Sequence, residues 1–257
     1  MPSINRVEPY SALADVYQAA GLADYSAALA PRLLNLAFEM EWTGRSLLDL
    51  ACGTGELACW FSEQGFRVTG VDISPLMLRP ATARAQEGGV SADFVAADMR
   101  AYRPDSHVEL VTCLGGSLNY VPKLSDLEAV FRLAHAALGK DKLFVFDVFT
   151  IQGLAHYQDT ERVAFDNGSD ILILEQDAFN YETLLLTRRY TILRYGDRSG
   201  WQRAEEVHTL RGYPLQAIVS TLVKAGLKVV RTMTRDFALM ESHQEADAVI
   251  IVASPEG

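Results

Sequence analysis

The segment Leu47-Leu48-Asp49-Leu50-Ala51-Cys52-Gly53-Thr54-Gly55-Glu56-Leu57-Ala58 places one carboxylate and two close glycines between apolar runs. Gly53 to Ala58 fit the G-x-G-x-x-G/A pattern of nucleotide-binding loops. Gly53 and Gly55 can take positive φ and admit a ligand where a Cβ would stand in the way. Free N–H groups at the start of a following helix favour an anionic group nearby. Asp49, inside the apolar run, is costly to bury unless a ligand ammonium or loop N–H groups pair with it. Asp72 closes the next apolar run and suits a ribose diol. Asp98 closes Phe94-Val95-Ala96-Ala97-Asp98-Met99, where it can accept from an adenine amino group. Three acids at three successive run ends suit a ligand with an amino group, a ribose and an adenine. The loop and Asp72 alone would equally suit a dinucleotide.

Further along, Asn119 and Tyr120 stand where they can face a reacting group. His208 lies in Glu205-Glu206-Val207-His208-Thr209-Leu210-Arg211, and the two-residue period of a strand puts Glu206 and His208 on one face. Asn119, Tyr120 and His208 are the catalytic candidates, against a turn-forming Asn, a packing Tyr and a solvated strand His. Asp147 opens on the same side. His107, His135, His156 and His243 show no partner pattern. Cys52, Cys59 and Cys113 have neither metal-ligand nor disulfide spacing and read as reduced, small apolar residues, so no metal is expected.

These residues need a scaffold, and the chain supplies alternating strands and helices. Ser46–Leu50, Phe66–Val71, Ala92–Val95, Val108–Cys113 and Leu143–Val148 read as five strands. Helical patterns follow the glycines to about Gly65, run from Ser74 to about Gln86, and end at Gly139 after the capping-box spacing of Ser125 and Glu128. Alternation of this kind implies a parallel sheet covered on both faces. From 170 to 211 the pattern changes to three β-rich runs, Ile171–Phe179, Leu184–Tyr195 and Trp201–Leu210, broken by turns at Asn180-Tyr181-Glu182 and Gly196-Asp197-Arg198-Ser199-Gly200. A helix over Pro214–Lys224 and strands over Lys228–Thr232 and Ala248–Val252 complete the sheet. The fold expected is α/β and Rossmann-like: a seven-stranded, mostly parallel sheet with an antiparallel three-stranded insertion after the fifth strand. It forms one domain, with an N-terminal helical cap (1–44) bearing Tyr10, Tyr17 and Tyr25, a ligand-binding core (45–150), the β insertion (160–212) and a C-terminal part (213–257).

The chain has 257 residues, 49% of them hydrophobic and 22% charged, which suits a globular protein with a sizeable core. A net charge of -10 disfavours nucleic acid and anionic membrane as partners. No signal-like run and no membrane-length apolar stretch occurs, so the default expectation is a cytoplasmic protein, monomer or homodimer.

Leu48-Asp49-Leu50-Ala51-Cys52-Gly53-Thr54-Gly55, Val68-Thr69-Gly70-Val71-Asp72-Ile73-Ser74 with Met77-Leu78, and Ala97-Asp98-Met99-Arg100 together resemble the class I S-adenosylmethionine-dependent methyltransferases. The resemblance implies S-adenosylmethionine as methyl donor and S-adenosylhomocysteine as product. Ala51, Gly53 and Gly55 would then line the methionine part, Asp72 the ribose, Ile73 and Met77 the adenosine, and Asp98 and Met99 the adenine. Tyr17, Asp49, Thr54, Cys113 and Leu114 extend this set. The stretch from Glu109 to Tyr120 resembles a subset acting on small amines and amino sugars, in which an Asp often stands at the positions of Glu109 and Gly116. Relatives also carry substrate-facing polar residues on the strand holding His208. The expected reaction is methyl transfer to nitrogen or oxygen of a small molecule. The alternatives are a tRNA or protein methyltransferase, a non-catalytic adenosyl-ligand binding protein and, more distantly, a dinucleotide oxidoreductase.

Overall fold

The structure is a computed structural model and describes residues 5–40, 42–196, 200–241 and 244–256. The middle of the turn expected at 196–200 and His243 lie outside them.

The first half builds β1 (Asn5–Val7), α1 (Asp24–Glu39), β2 (Ser46–Leu50), α2 (Glu56–Glu63), β3 (Arg67–Asp72), α3 (Pro75–Gly88), β4 (Ala92–Ala96), β5 (Val108–Cys113), a 3-10 turn at Ser117–Tyr120, α4 (Leu124–Ala137) and β6 (Leu138–Phe149). The second half adds α5 (Ile151–Ala155), β7 (Thr160–Asp166), β8 (Ile171–Asn180), β9 (Leu185–Gly196), β10 (Gly200–Arg211), α6 (Leu215–Lys224), β11 (Leu227–Thr234) and β12 (Ala248–Pro255). Seven strands form one sheet in the order β11-β12-β6-β5-β2-β3-β4, parallel except for β12, which is antiparallel to β6 and β11. Its central strands are covered on both faces: β2 is buried throughout and β12 likewise. One apolar cluster joins Leu48, Leu50 and Phe146 to α4 and α6; another joins Leu47 and Val145 to α1 and α2. Strand order reverses between β2 and β5, which opens a crevice at their carboxyl ends.

The second sheet has the order β1-β10-β9-β8-β7. The three strands expected in the insertion are its centre; β7 and the N-terminal β1 flank them, β1 running parallel to β10. Two local expectations fail. Residues 8–23 are turns, not helix, and α1 is the only helix among the described residues of the first 40. The reason is visible at Tyr10, Ala12 and Leu13, whose N–H groups donate to the Glu206 carboxylate on β10 and not along a helix. The Ser125–Glu128 capping box does not form either. Helix α4 starts earlier, capped at Lys123 without a side-chain bond, and Glu128 instead pairs with Arg132 one turn on.

Candidate active site

A cavity of about 540 Å³ opens at the carboxyl ends of β2, β3 and β5. The glycine loop forms its floor. Ala51 takes φ 55°, a strained value for a residue with a side chain, and Gly53 takes φ 57°. A Cβ on Gly53 would lie an ordinary 3.5 Å from Met77 Cε, so it is the positive φ that calls for glycine here. Gly55 serves a different need. It caps α2 at φ 77°, and a Cβ there would lie 2.8 Å from Ala81 Cβ on α3, so its role is close packing and it does not border the cavity.

Asp72 lines the cavity with both oxygens anchored, Oδ2 by the Gly53 N–H at 2.9 Å and Oδ1 by the Ser74 N–H at 2.8 Å. Burial pushes its carboxyl upward against the pull of these two bonds. Asp49 lies behind the wall, where its partner is the Thr112 hydroxyl at 2.7 Å, so neither loop N–H groups nor an open cavity face supply the expected pairing. Burial pushes its carboxyl up to about 7, opposed by the Thr112 bond and reinforced by Asp72 and Glu56. Asp98 borders the cavity, but the Arg100 guanidinium holds both of its oxygens, and that bond draws its carboxyl below the usual range.

Of the other expected ligand residues, Tyr17, Thr54, Ile73, Met77, Met99 and Leu114 line the cavity. Ile73 is 66% exposed, an apolar side chain held open on the cavity wall. Cys113 is fully buried behind it, its Sγ 4.0 Å from Met99 Sδ.

The catalytic candidates separate. Asn119 is buried and turned away from the cavity: its amide donates to the Phe149 and Arg211 carbonyls and accepts from the Phe149 N–H. It is a latch between β6 and β10. Tyr120 does line the cavity, and its hydroxyl lies 2.9 Å from the Tyr10 hydroxyl and 2.9 Å from His208 Nδ1. His208 is fully buried behind Tyr120, so it is neither a solvated strand residue nor itself on the wall. Its Nε2 lies 2.9 Å from Glu206 Oε2, which confirms the shared strand face.

Sequence reasoning missed Tyr10 and Glu56. Tyr10, placed on the N-terminal helical cap with no ligand role, takes φ 61° and lines the cavity. Glu56, the first residue of α2, borders the cavity and accepts from Thr54 Oγ1, Arg84 and Gln18. Its position directly after the glycines was the available signal. The two departures Glu109 and Gly116 also find their reasons. Glu109 lies at the opposite end of β5 from the cavity, bound to the Arg45 N–H, Ser46 and Lys142. Gly116 takes φ 69°, and a Cβ there would lie 2.6 Å from the Phe149 ring. Its N–H donates to Asp147, whose other oxygen accepts from the Tyr25 hydroxyl at 2.8 Å.

Among the described residues no group of three or more His, Cys, Asp or Glu could hold a metal ion. No helix among them is long and apolar enough to cross a membrane.

Residues 47–141 match the family model of a methyltransferase domain. Over 210 residues the chain is 30% identical to a "putative methyltransferase" of Geobacillus sp. (strain WCH70), covering 81% of this chain and 84% of that protein. A solved S-adenosylmethionine-dependent methyltransferase from Clostridium acetobutylicum ATCC 824 has a TM-score of 0.82 at 21% identity, covering 96% of this chain and 99% of that one. The sugar N-methyltransferase KedS8 from Streptoalloteichus sp. ATCC 53650 has a TM-score of 0.75 at 21% identity, covering 95% of this chain and 92% of that one. At these identities the two structures speak for the fold.

Proposed function

Because the chain belongs to the class I S-adenosylmethionine-dependent methyltransferases, we propose that it transfers the methyl group to a nitrogen or oxygen of a small molecule. The observation that carries this reading is the size and enclosure of the cavity. Its volume, about 540 Å³, falls in the range of small-molecule sites, and residues 8–11 and Tyr17 of the N-terminal strap wall one side of it. The likeness in fold to a sugar N-methyltransferase supports the same class of acceptor. So does the acidic lining, in which Glu8, Glu56, Asp72 and Asp98 outnumber one guanidinium, Arg100, which Asp98 already holds. A polyanion such as tRNA gains little from such a wall.

The residues present fit the donor. Asp72, with both oxygens fixed by backbone N–H groups, retains lone pairs for the ribose hydroxyls. Ile73, Met77 and Met99 offer an apolar slot for the adenine, with Asp98, both oxygens held by Arg100, beside it. Ala51, Gly53 and Thr54 leave backbone open to the methionine part, with Tyr17 and Leu114 opposite. Asp49, Gly55 and Cys113 support these groups from behind. When bound, S-adenosylmethionine supplies an electrophilic methyl carbon on a sulfonium, open to in-line displacement. The chain's own contribution is alignment and exclusion of water, with the Tyr10 and Tyr120 hydroxyls as the polar groups facing the acceptor. In this reading the strap and the insertion (160–212) form the acceptor side of a single domain.

Tritium-labelled methyl donor, offered with a panel of amines, amino sugars and phenols and in parallel with bulk tRNA and protein extract, tests the proposal. Label in the small-molecule fraction is expected. Label confined to tRNA or protein, or methyl transfer to no acceptor at all, would overturn it.

A further inference from the structure

The inner face of the insertion sheet carries two rows of polar side chains in register across β8, β9 and β10. Asp177 pairs with Arg188 and Arg188 with His208; Glu175 pairs with Tyr190 and Tyr190 with Glu206. Both rows are buried apart from partly exposed Arg188, with Glu206 and His208 fully so. Arg188 is held by Asp177 through two bonds of 2.8 and 2.7 Å, and Glu175 by Arg162 at 2.8 Å. These charges are answered locally. Among the described residues no arginine pairs with Glu206. Its Oε1 accepts the Ala12 and Leu13 N–H groups, and its Oε2 accepts the Tyr10 N–H at 2.7 Å and faces His208 Nε2 at 2.9 Å. One carboxylate thus touches both the strap that walls the cavity and the imidazole behind Tyr120.

We propose that Glu206 is a positioning residue with two linked effects: it fastens the strap at residues 10–13, and it fixes the His208 tautomer that lets the Tyr10–Tyr120 hydroxyl pair carry a proton away from the methyl acceptor. The inference rests on the methyl-transfer reading of the cavity. The ionised Glu206 can only accept, so Nε2 of neutral His208 must carry the ring proton and Nδ1 is left bare. Bare Nδ1 lies 2.9 Å from the Tyr120 hydroxyl, which lies 2.9 Å from that of Tyr10. Both tyrosines border the cavity. The donors and acceptors therefore run one way, from Tyr10 to Tyr120 to His208 to Glu206. As the acceptor lone pair takes the methyl group, its N–H or O–H bond breaks and that proton enters at the hydroxyl pair. The displaced hydroxyl proton moves to Nδ1, and His208 finishes as an imidazolium beside the Glu206 carboxylate. No proton is created or lost, and the relay exists only with the strap docked, because Tyr10 is part of it.

The groups that face His208 are Glu206 on its own strand, Tyr190 and Arg188 on β9, Tyr120 on the 3-10 turn and Tyr10 on the strap. Asp177 holds Arg188, which prevents that cation from opposing the imidazolium at full strength.

Nuclear magnetic resonance of the full ¹⁵N-labelled chain at pH 8, with and without S-adenosylhomocysteine, reads the tautomer directly. Loss of signals in His208→Gln assigns the ring. The wild-type ring is expected to carry its proton on Nε2 with Nδ1 bare. Glu206→Gln keeps an oxygen for Ala12 and Leu13 but turns its NH₂ toward Nε2, so the proton moves to Nδ1. Hydrogen exchange at the Ala12 and Leu13 amides is expected to rise about tenfold or more in Glu206→Ala, and by less in Glu206→Gln. A bare Nε2 or a doubly protonated ring in the wild type, which needs no variant to fold, would overturn the proposal. So would a tautomer indifferent to Glu206→Gln, or strap exchange indifferent to Glu206→Ala. Failure of S-adenosylhomocysteine to bind would count against the methyl-transfer reading separately, since the imidazole signals come from the chain itself.

Discussion

On the seven-stranded sheet, Asp49, Asp72 and Asp147 are spaced apart at or near strand ends and are satisfied by hydroxyls or backbone N–H groups. On the five-stranded sheet, Glu175, Asp177, Arg188, Glu206 and His208 crowd one face; the first three are satisfied by one another and Arg162, and Glu206 by His208 and the strap N–H groups. The first arrangement leaves carboxylates protonated more readily than usual; burial raises all three. The second keeps its charges by pairing them. One sheet therefore presents isolated acceptors to a ligand, and the other builds a connected polar layer behind the cavity wall.

Four substitutions break or sharpen that contrast. Arg188→Met removes the cation between Asp177 and Glu175 and leaves two buried carboxylates short of a partner. It should cost on the order of 3–5 kcal/mol in a denaturant titration, while a surface pair such as Arg132 with Glu128 should cost less than about 1 kcal/mol. Asp49→Asn tests the isolated acids through pH. Its folded carboxyl is pushed up to about 7 from the ordinary carboxylate value of 3.8, so the folded state holds the proton across that window. The stability this contributes is full below about pH 4 and is lost as pH rises through 7. Wild type should lose on the order of 2–4 kcal/mol from this group between pH 4 and 8, and Asp49→Asn should flatten the slope. Asp72 and Asp147, shifted the same way, leave a residual slope of the same sign. Gly116→Ala meets the Phe149 ring at 2.6 Å with φ 69° and should cost about 1–3 kcal/mol. Adding Phe149→Leu should recover part of that. Tyr120→Phe sits where the two sheets meet; it should change stability by less than about 1.5 kcal/mol, while lowering turnover of any accepted substrate. Thermal unfolding and initial rates separate the two effects.

The same contrast explains what could be read from the residues alone. Each feature of the first sheet lies within one strand and its loop: Asp49 before the glycines, Asp72 and Asp98 at run ends, Ser74 at the start of a helix. Local order was enough to place them. The Arg188–Asp177 pair and the Glu206–Tyr10 contact depend on strand register and on a strap about 200 positions away in sequence, which no local pattern encodes. The helical expectation for residues 8–23 failed for that reason, because Glu206 supplies the hydrogen bonds that a helix would have made. Asn119, expected to face a reacting group, is turned away instead, because its three bonds to Phe149 and Arg211 form only with the insertion docked. Asp98 was expected at the cavity and lies there, yet its neighbour Arg100 already occupies its oxygens.

The division between a donor side on the first sheet and an acceptor side on the second is tested most directly by calorimetry with S-adenosylhomocysteine on wild type, Asp72→Ala and Tyr120→Phe, with NAD as control. Micromolar binding to wild type is predicted, weakened about 100-fold by Asp72→Ala and unchanged within about twofold by Tyr120→Phe, with no heat from NAD. Binding of NAD without the thioether, or equal loss in both variants, would contradict it.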